Sequence, residues 1–360
     1  MTSSLQTQFL YCSIITIRSE TMSPKKRTAS STTTRPTRDL TAVTESSPLT
    51  CIPSLARFIL VVLSSLIVSS ILFTLTSSLT LGDLGPISKH LEEWWEVGVL
   101  VGWRAVEVGV AWVLGFDGRD VASFLFLTHL PIYSLLSCFY NVRPTSALIS
   151  YGITIISTAL PFVVLRRPSS VHDLSHTPSG AIANRGILQD KLTTFFTSLL
   201  ATSIFSIVLY ISYASWLPAQ LVVHFESLPD ISAAHAGPGG LPVLLLTLAP
   251  AGWAARDFLF ASSTGYAIND AQSASASREG EYLIAAIYRK TWGKLSPKSR
   301  ILVSRSIILA AGILLNTIVQ VAGTIRDVSV VGAATWGSVW AVSALVTGIS
   351  FGWIEAVDGV

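Results

Sequence analysis

Arg104 and Glu107 are the residues of this sequence whose position most demands a chemical explanation. They lie in the middle of an otherwise apolar stretch, VGVLVGWRAVEVGVAWVLG, at residues 97–115. A charge at mid-bilayer costs about 3 kcal/mol, so such residues pair with each other or line a polar path. Their i, i+3 spacing on a helix lets them pair. The pattern predicts either a polar site in a transport pathway or a self-neutralised pair that fixes packing.

Three further polar residues lie in apolar segments. His129 precedes Pro131, and a buried histidine beside a helix break can relay protons, although a lone histidine is more often structural. Asn316 and Gln320 share one region of a later segment, where amides hydrogen-bond to neighbouring helices or contact a solute. The candidate intramembrane polar site therefore consists of Arg104, Glu107, His129, Asn316 and Gln320.

Arg256 and Asp257 form a second candidate, an inner-gate pair. They end an apolar segment that Pro250 and Gly252 interrupt. Broken helices of this kind line substrate sites in transporters, and they also occur in bundles without such sites.

Signatures of catalysis are absent from the sequence. It contains no Walker A motif, no G-x-S-x-G and no HExxH. His172 and His176 have i, i+4 spacing, but no further ligand follows at metal spacing. We therefore predict no catalytic residue, no cofactor and no metal.

The composition indicates a membrane protein. Of the 360 residues, 50% are hydrophobic and 12% are charged, with a mean hydropathy of +0.58. A soluble domain carries about 25% charged residues. The net charge of +3 gives no reason to expect a nucleic-acid partner. The expected partners are the lipid bilayer and other membrane proteins.

The hydropathy pattern predicts an all-α, polytopic transmembrane bundle of about eight spans. A disordered, basic, Ser/Thr-rich cytoplasmic tail occupies residues 1–54, and the transmembrane domain occupies 55–360. The predicted spans are 56–81, 97–115, 121–140, 145–165, 192–216, 241–261, 301–325 and 328–353. We expect cytoplasmic loops at 166–191 and 262–300, and a tight turn at 117–120.

The distribution of basic residues predicts the topology. With the N-terminus in the cytoplasm, eighteen of the 24 Lys and Arg residues face inside and three face outside. Without a span at 97–115, the ten basic residues of loops 166–191 and 262–300 would face outside. The positive-inside rule disfavours that arrangement. Segment 97–115 is therefore predicted to span, with both termini cytoplasmic.

Small residues recur at helical spacing in two of the predicted spans. Gly98, Gly102 and Gly109 form one stripe, and Gly337 and Gly348 belong to another. Such stripes let helices approach closely, so both are predicted to be packing seams.

Residues 284–300 combine an apolar face with a basic one. This pattern is typical of a helix lying on an anionic cytoplasmic leaflet, and equally of a connector packed on the bundle.

Three functional classes remain open at this point: a small-solute or ion carrier, a non-catalytic structural or assembly protein, and, with no positive sign, a lipid-active enzyme. A carrier should bring the polar residues together on one cavity. An assembly protein should have them scattered, each with a local partner. The sequence does not indicate which membrane holds the protein.

Overall fold

The structure is a computed structural model that describes residues 54–90, 93–175, 177, 182–226, 228–235, 237–265 and 295–357. Its contacts divide the chain into Met1–Arg57 and Phe58–Val360. The predicted tail, apart from residue 54, lies outside the described residues. So do His176 and all of segment 284–300 that precedes Leu295.

The described residues are helical, which confirms the all-α prediction. The helices are α1 Ser54–Leu84, α2 Trp94–Val113, α3 Gly118–Phe139, α4 Pro144–Leu165, α5 Arg185–Gln189, α6 Lys191–Ala214, α7 Leu217–His224, α8 Gly240–Thr247, α9 Ala249–Ala255, α10 Pro297–Thr324 and α11 Val330–Val357. Two isolated bridges pair Ser88 with Ile325 and Phe225 with Val328.

Six helices are long and apolar enough to cross a membrane: α1, α3, α4, α6, α10 and α11. The segments Gly237–Thr247 and Ala249–Thr264 meet at 51°, and together they would make a seventh span. Helix α2 is long enough but carries Glu96, Arg104 and Glu107. The count of eight spans and the cytoplasmic position of both termini therefore stay predictions.

Capping carboxylates fix where two of the helices begin. Asp117 accepts a hydrogen bond from the Asp120 backbone N–H at 2.8 Å and caps α3. Asp190 accepts from Leu192 and Thr193 and caps α6. The tight turn expected at 117–120 is therefore wrong, because residues 118–120 already form the first turn of α3 once Asp117 caps it.

The break before α9 matches the position of a proline. Pro250 lies in the first turn of α9, where its missing N–H costs nothing, and the chain bends at Leu248. Gly252 then lets α9 pack on α6, since a Cβ there would lie 2.5 Å from the Ser198 carbonyl oxygen. Past α9 the helix continues as a π-helix over Arg256–Ala261.

The two predicted glycine seams behave differently. On α11, a Cβ at Gly337 would lie 3.0 Å from Thr317 Cβ, and one at Gly348 would lie 2.8 Å from Ser306 Cβ, so α10 and α11 are in close contact. On α2, no described residue lies within 4 Å of such a Cβ at Gly98 or Gly102, and at Gly109 the described neighbour is Phe58, at 3.7 Å.

The expected close packing is therefore not found at Gly98 and Gly102. The reason is the orientation of α2, which buries Glu107, Val108 and Ala111 and leaves both glycines exposed.

Candidate functional site

Arg104, Glu107 and His129 form a buried cluster, which we call the core triad. The two carboxylate oxygens of Glu107 are divided between its neighbours: Oε2 lies 3.1 Å from Arg104, and Oε1 lies 3.1 Å from Nε2 of His129. The side chains of Glu107 and His129 are only 4% and 5% exposed. Helix α2 thus contributes the expected i, i+3 pair, and α3 adds a third ionisable group.

Arg104 ties α2 to α4 as well. Its guanidinium donates to the Thr154 carbonyl oxygen at 2.9 Å and contacts the hydroxyls of Ser157 and Thr158. Tyr133 of α3 also hydrogen-bonds to the Thr154 hydroxyl, at 3.0 Å. Because these groups meet the donors of the guanidinium, its burial leaves few bonds unmade. The triad and its hydrogen bonds therefore connect α2, α3 and α4.

Asn316 hydrogen-bonds to both helices that carry the triad. Its side-chain oxygen accepts from Trp103 Nε1 at 2.9 Å, and its nitrogen donates to the Thr128 carbonyl oxygen at 3.0 Å. The side chain of Asn316 therefore makes its hydrogen bonds to neighbours of the triad and not to the triad itself. Gln320 is half-buried, and its side chain makes no hydrogen bond with a described residue.

A second set of charges lies where α3 begins and α9 ends, and we call it the end network: Arg119, Asp120, Arg256, Asp257 and Arg305. Arg305 donates two hydrogen bonds, of 2.7 and 2.9 Å, to the carboxylate of Asp120. Its guanidinium also lies 4.9 Å from the ring centroids of Phe116 and Phe258. Bidentate pairing and cation–π contact both favour arginine at this position.

The predicted gate pair is part of this network. Arg256 donates to Asp257 at 2.8 Å and to the Thr194 hydroxyl at 3.1 Å. The other oxygen of Asp257 accepts from Arg119 at 2.8 Å. Both residues are buried in the π-helical turn. Asp257 therefore joins α9 to α3, and Arg256 joins it to α6.

Asp117 is paired next to the end network. Its Oδ2 lies 2.7 Å from His172 Nδ1 and accepts the Ser169 backbone N–H at 2.8 Å. Burial raises the pKa of Asp117, but the hydrogen bond from His172, together with the backbone N–H of Asp120, outweighs burial and holds it at about 2. The nearby Arg166 has its pKa lowered by burial, although Asp117 and Asp120 oppose that shift.

Asp117, Asp120 and His172 offer ligand atoms that all lie within 4.8 Å of one another. The donor set would suit a cation in principle. However, Arg305 already occupies both oxygens of Asp120, and His172 with two backbone N–H groups occupies Asp117. Protein groups therefore balance the charge of this cluster.

The candidate polar residues do not line either of two cavities in the described part of the chain. The larger has a volume of about 1030 Å³ and is bordered by α3, α4, α6 and α8. The other, about 850 Å³, lies beside Lys89, His224 and Arg326. The core triad and Asn316 are enclosed between helices instead.

The sequence analysis identified the candidate polar residues better than the residues that they contact. Arg305 pairs with Asp120, which lies 185 residues away in sequence. Two signals were available. Asp117 stands three residues before Asp120 at the start of an apolar run, which is an N-cap pattern. On α4, Thr154, Ser157 and Thr158 share the helix face that receives Arg104.

Comparison with known proteins gives one match. The family model described as Bqt3_C, bouquet formation protein 3 C-terminal domain, matches residues 190–319. The matched range includes α6 to α9 and most of α10, and with them Arg256, Asp257, Arg305 and Asn316. No curated protein and no solved structure matches the chain.

Proposed function

We propose that this chain is a multi-pass membrane protein with a non-catalytic assembly role, in which its helix bundle holds another membrane protein in a complex. The observation that carries the proposal is the match of residues 190–319 to the C-terminal domain of bouquet formation protein 3. That description names a formation process and no reaction. The helices of the chain are apolar enough for the membrane location that the proposal requires.

The contacts of the polar residues support this assignment over a carrier. Glu107 is paired with Arg104, and its other oxygen lies 3.1 Å from His129 Nε2 without a hydrogen bond between these two atoms. Asn316 bonds to Trp103 and Thr128. Neither described cavity reaches these residues. A polar group that is paired inside the protein fixes how helices pack, whereas a transport site needs groups that a solute can reach.

The proposal includes the topology derived from the basic residues. Both termini and residues 1–54 lie in the cytoplasm, α2 spans as part of an eight-span bundle, and 284–300 contacts the anionic cytoplasmic leaflet. The partner is an integral membrane protein rather than a nucleic acid.

The bend of 51° before α9 favours a second candidate, a small-solute or ion carrier. Broken helices line substrate sites in several transporters. In this candidate, Arg256 and Asp257 would act as an inner gate, and the end network would open to admit the solute.

Thiol labelling separates the two candidates. In a chain with Cys12, Cys51 and Cys138 replaced by serine, a cysteine at Glu107 is exposed to a small water-soluble maleimide in intact membranes. An assembly protein should leave this cysteine protected, while a matched cysteine at the exposed loop residue Glu226 reacts. Rapid labelling at position 107 would contradict the assembly role and support the carrier.

Site-specific photo-crosslinking tests the complex directly. A photoreactive amino acid is placed at one exposed position on each helix of the full chain, for example at Val99, Leu148 and Ile349, in native membranes. We expect one discrete heavier adduct, confined to neighbouring positions on one face. Absence of an adduct at every position, together with solute flux in proteoliposomes, would overturn the proposal.

A further inference from the structure

The larger cavity, of about 1030 Å³, is lined by described residues among which there is no Asp, Glu, Lys or Arg. Its walls come from α3, α4, α6 and α8, and Trp340 of α11 contributes to it. Its volume is at the upper end of the range for small-molecule sites. A cavity of this size without a charged side chain does not suit an ionic solute or a charged head group.

We propose that this cavity is a binding site for a sterol, an uncharged lipid with one hydroxyl group and a rigid, flat apolar body. The site is separate from the core triad and the end network. The proposal does not depend on the assembly role of the chain, and its test has a different readout.

Two neighbouring aromatic rings contribute to the walls of the cavity. The rings of Tyr133 and Tyr151 lie 4.9 Å apart between centroids. Their hydroxyls are already used, by the Thr154 hydroxyl and the Phe126 carbonyl oxygen respectively. These tyrosines therefore offer ring surface rather than hydrogen bonds. A rigid flat ligand fits such walls at a smaller entropy cost than a flexible acyl chain.

Tyr213 and Trp340 offer a sterol hydroxyl polar contacts in the cavity. Tyr213 lines the cavity and is 9% exposed, and its hydroxyl makes no hydrogen bond with any described residue. Its ring stacks on Trp336 at 6.4 Å, which fixes the position of the hydroxyl. The indole Nε1 of Trp340, which also lines the cavity, is buried and makes no hydrogen bond with a described residue. A buried donor without an acceptor costs free energy, and the oxygen of a sterol hydroxyl would accept from it.

The cavity is accessible from the surface that would face lipid. Leu148 of α4 and Val243 of α8 line it and are 66% and 60% exposed. The gap between these helices gives a membrane-dissolved ligand a lateral route of entry. A sterol can therefore reach Tyr213 without crossing water.

The test uses the purified full chain in phosphatidylcholine nanodiscs and a diazirine-bearing cholesterol probe. We expect saturable photolabelling of peptides within 130–151, 209–219 and 243–248. Excess cholesterol should compete, and its 3α-hydroxy epimer should compete less. Labelling of the same peptides by a diazirine phosphatidylcholine with equal efficiency, and no competition by cholesterol, would show that the cavity holds bulk lipid only and overturn the proposal.

Two variants locate the site. Tyr213→Phe keeps the ring and should weaken probe binding by about fivefold, the effect of one neutral hydrogen bond. Val243→Trp places bulk at the opening and should abolish saturable labelling, whereas Val99→Trp, at a comparably exposed position on α2, should not. Gel filtration verifies that each variant is folded. Unchanged binding in folded Tyr213→Phe and Val243→Trp would contradict the assignment.

Discussion

His129 and Glu107 lie on different helices, with Nε2 of the histidine 3.1 Å from Oε1 of the carboxylate. Arg104 holds the other oxygen of the same carboxylate at 3.1 Å. Removing the charge of Glu107 would therefore leave Arg104 buried without its counter-charge. Breaking a buried pair from one side costs far more than the intact pair contributes.

Glu107→Gln should lower the free energy of unfolding by about 3 kcal/mol, because the buried guanidinium loses its counter-ion. The measurement is SDS titration of the purified chain in mixed micelles, followed by circular dichroism. Glu226→Gln, at an exposed loop position, is the matched control and should change stability by less than about 0.5 kcal/mol. Equal stability of the two variants would refute a structural role for the triad.

Asp120 and Arg305 should be energetically coupled. Asp120→Asn leaves Arg305 facing a neutral amide between two aromatic rings, so we expect a loss of about 3 kcal/mol. The double variant Asp120→Asn/Arg305→Met should lose less than the sum of the single variants, by at least about 1 kcal/mol. Asp190→Asn is the control, since an exposed N-cap asparagine still caps α6. Additive losses would mean that the two side chains act independently.

Replacing glycine by alanine should have opposite effects on protein stability at the two glycine seams. Gly348→Ala places a methyl group 2.8 Å from Ser306 Cβ, so it should destabilise the protein by about 1–3 kcal/mol. Gly102→Ala meets nothing within 4 Å and should be neutral or stabilise α2 by up to about 1 kcal/mol. Both substitutions replace glycine by alanine within a helix. The gain in helix propensity is therefore similar in the two variants and cancels when their stabilities are compared. A destabilising Gly102→Ala would indicate a partner on that face.

Acid should remove the contribution of Asp117. The pKa of this carboxyl falls from an ordinary 3.8 to about 2 in the folded chain. A depressed carboxyl pKa stabilises the fold above the unfolded value, and this stability is lost as the pH falls from about 4 to 2. The loss should be roughly 2 kcal/mol.

Asp117→Asn provides the comparison for this pH dependence. The amide can still cap α3 but does not titrate, so its stability profile should be flatter between pH 4 and pH 2. Parallel profiles for the two proteins over that window would show that Asp117 is not the responsible group.

Several features could be predicted from the sequence because they depend on neighbours along one helix. The helical class and the eight apolar segments follow from local hydropathy. Seven of the segments fall mainly on one helix each, and segment 241–261 extends over α8, α9 and the π-helix that follows. The Arg104–Glu107 pair follows from its i, i+3 spacing. The broken helix near Pro250 follows from a missing backbone donor, although the bend itself is at Leu248.

Only the tertiary structure decided what each helix face meets. Periodicity places Gly98 and Gly102 on one stripe and Gly337 and Gly348 on another. Among the residues that the structure describes, only the second stripe has a helix against it. His129 joins Glu107, and Arg305 joins Asp120, through contacts between segments far apart in sequence. The physical reason is that helical spacing determines which residues share a face, whereas the partner of that face is selected by packing and charge pairing across the whole bundle.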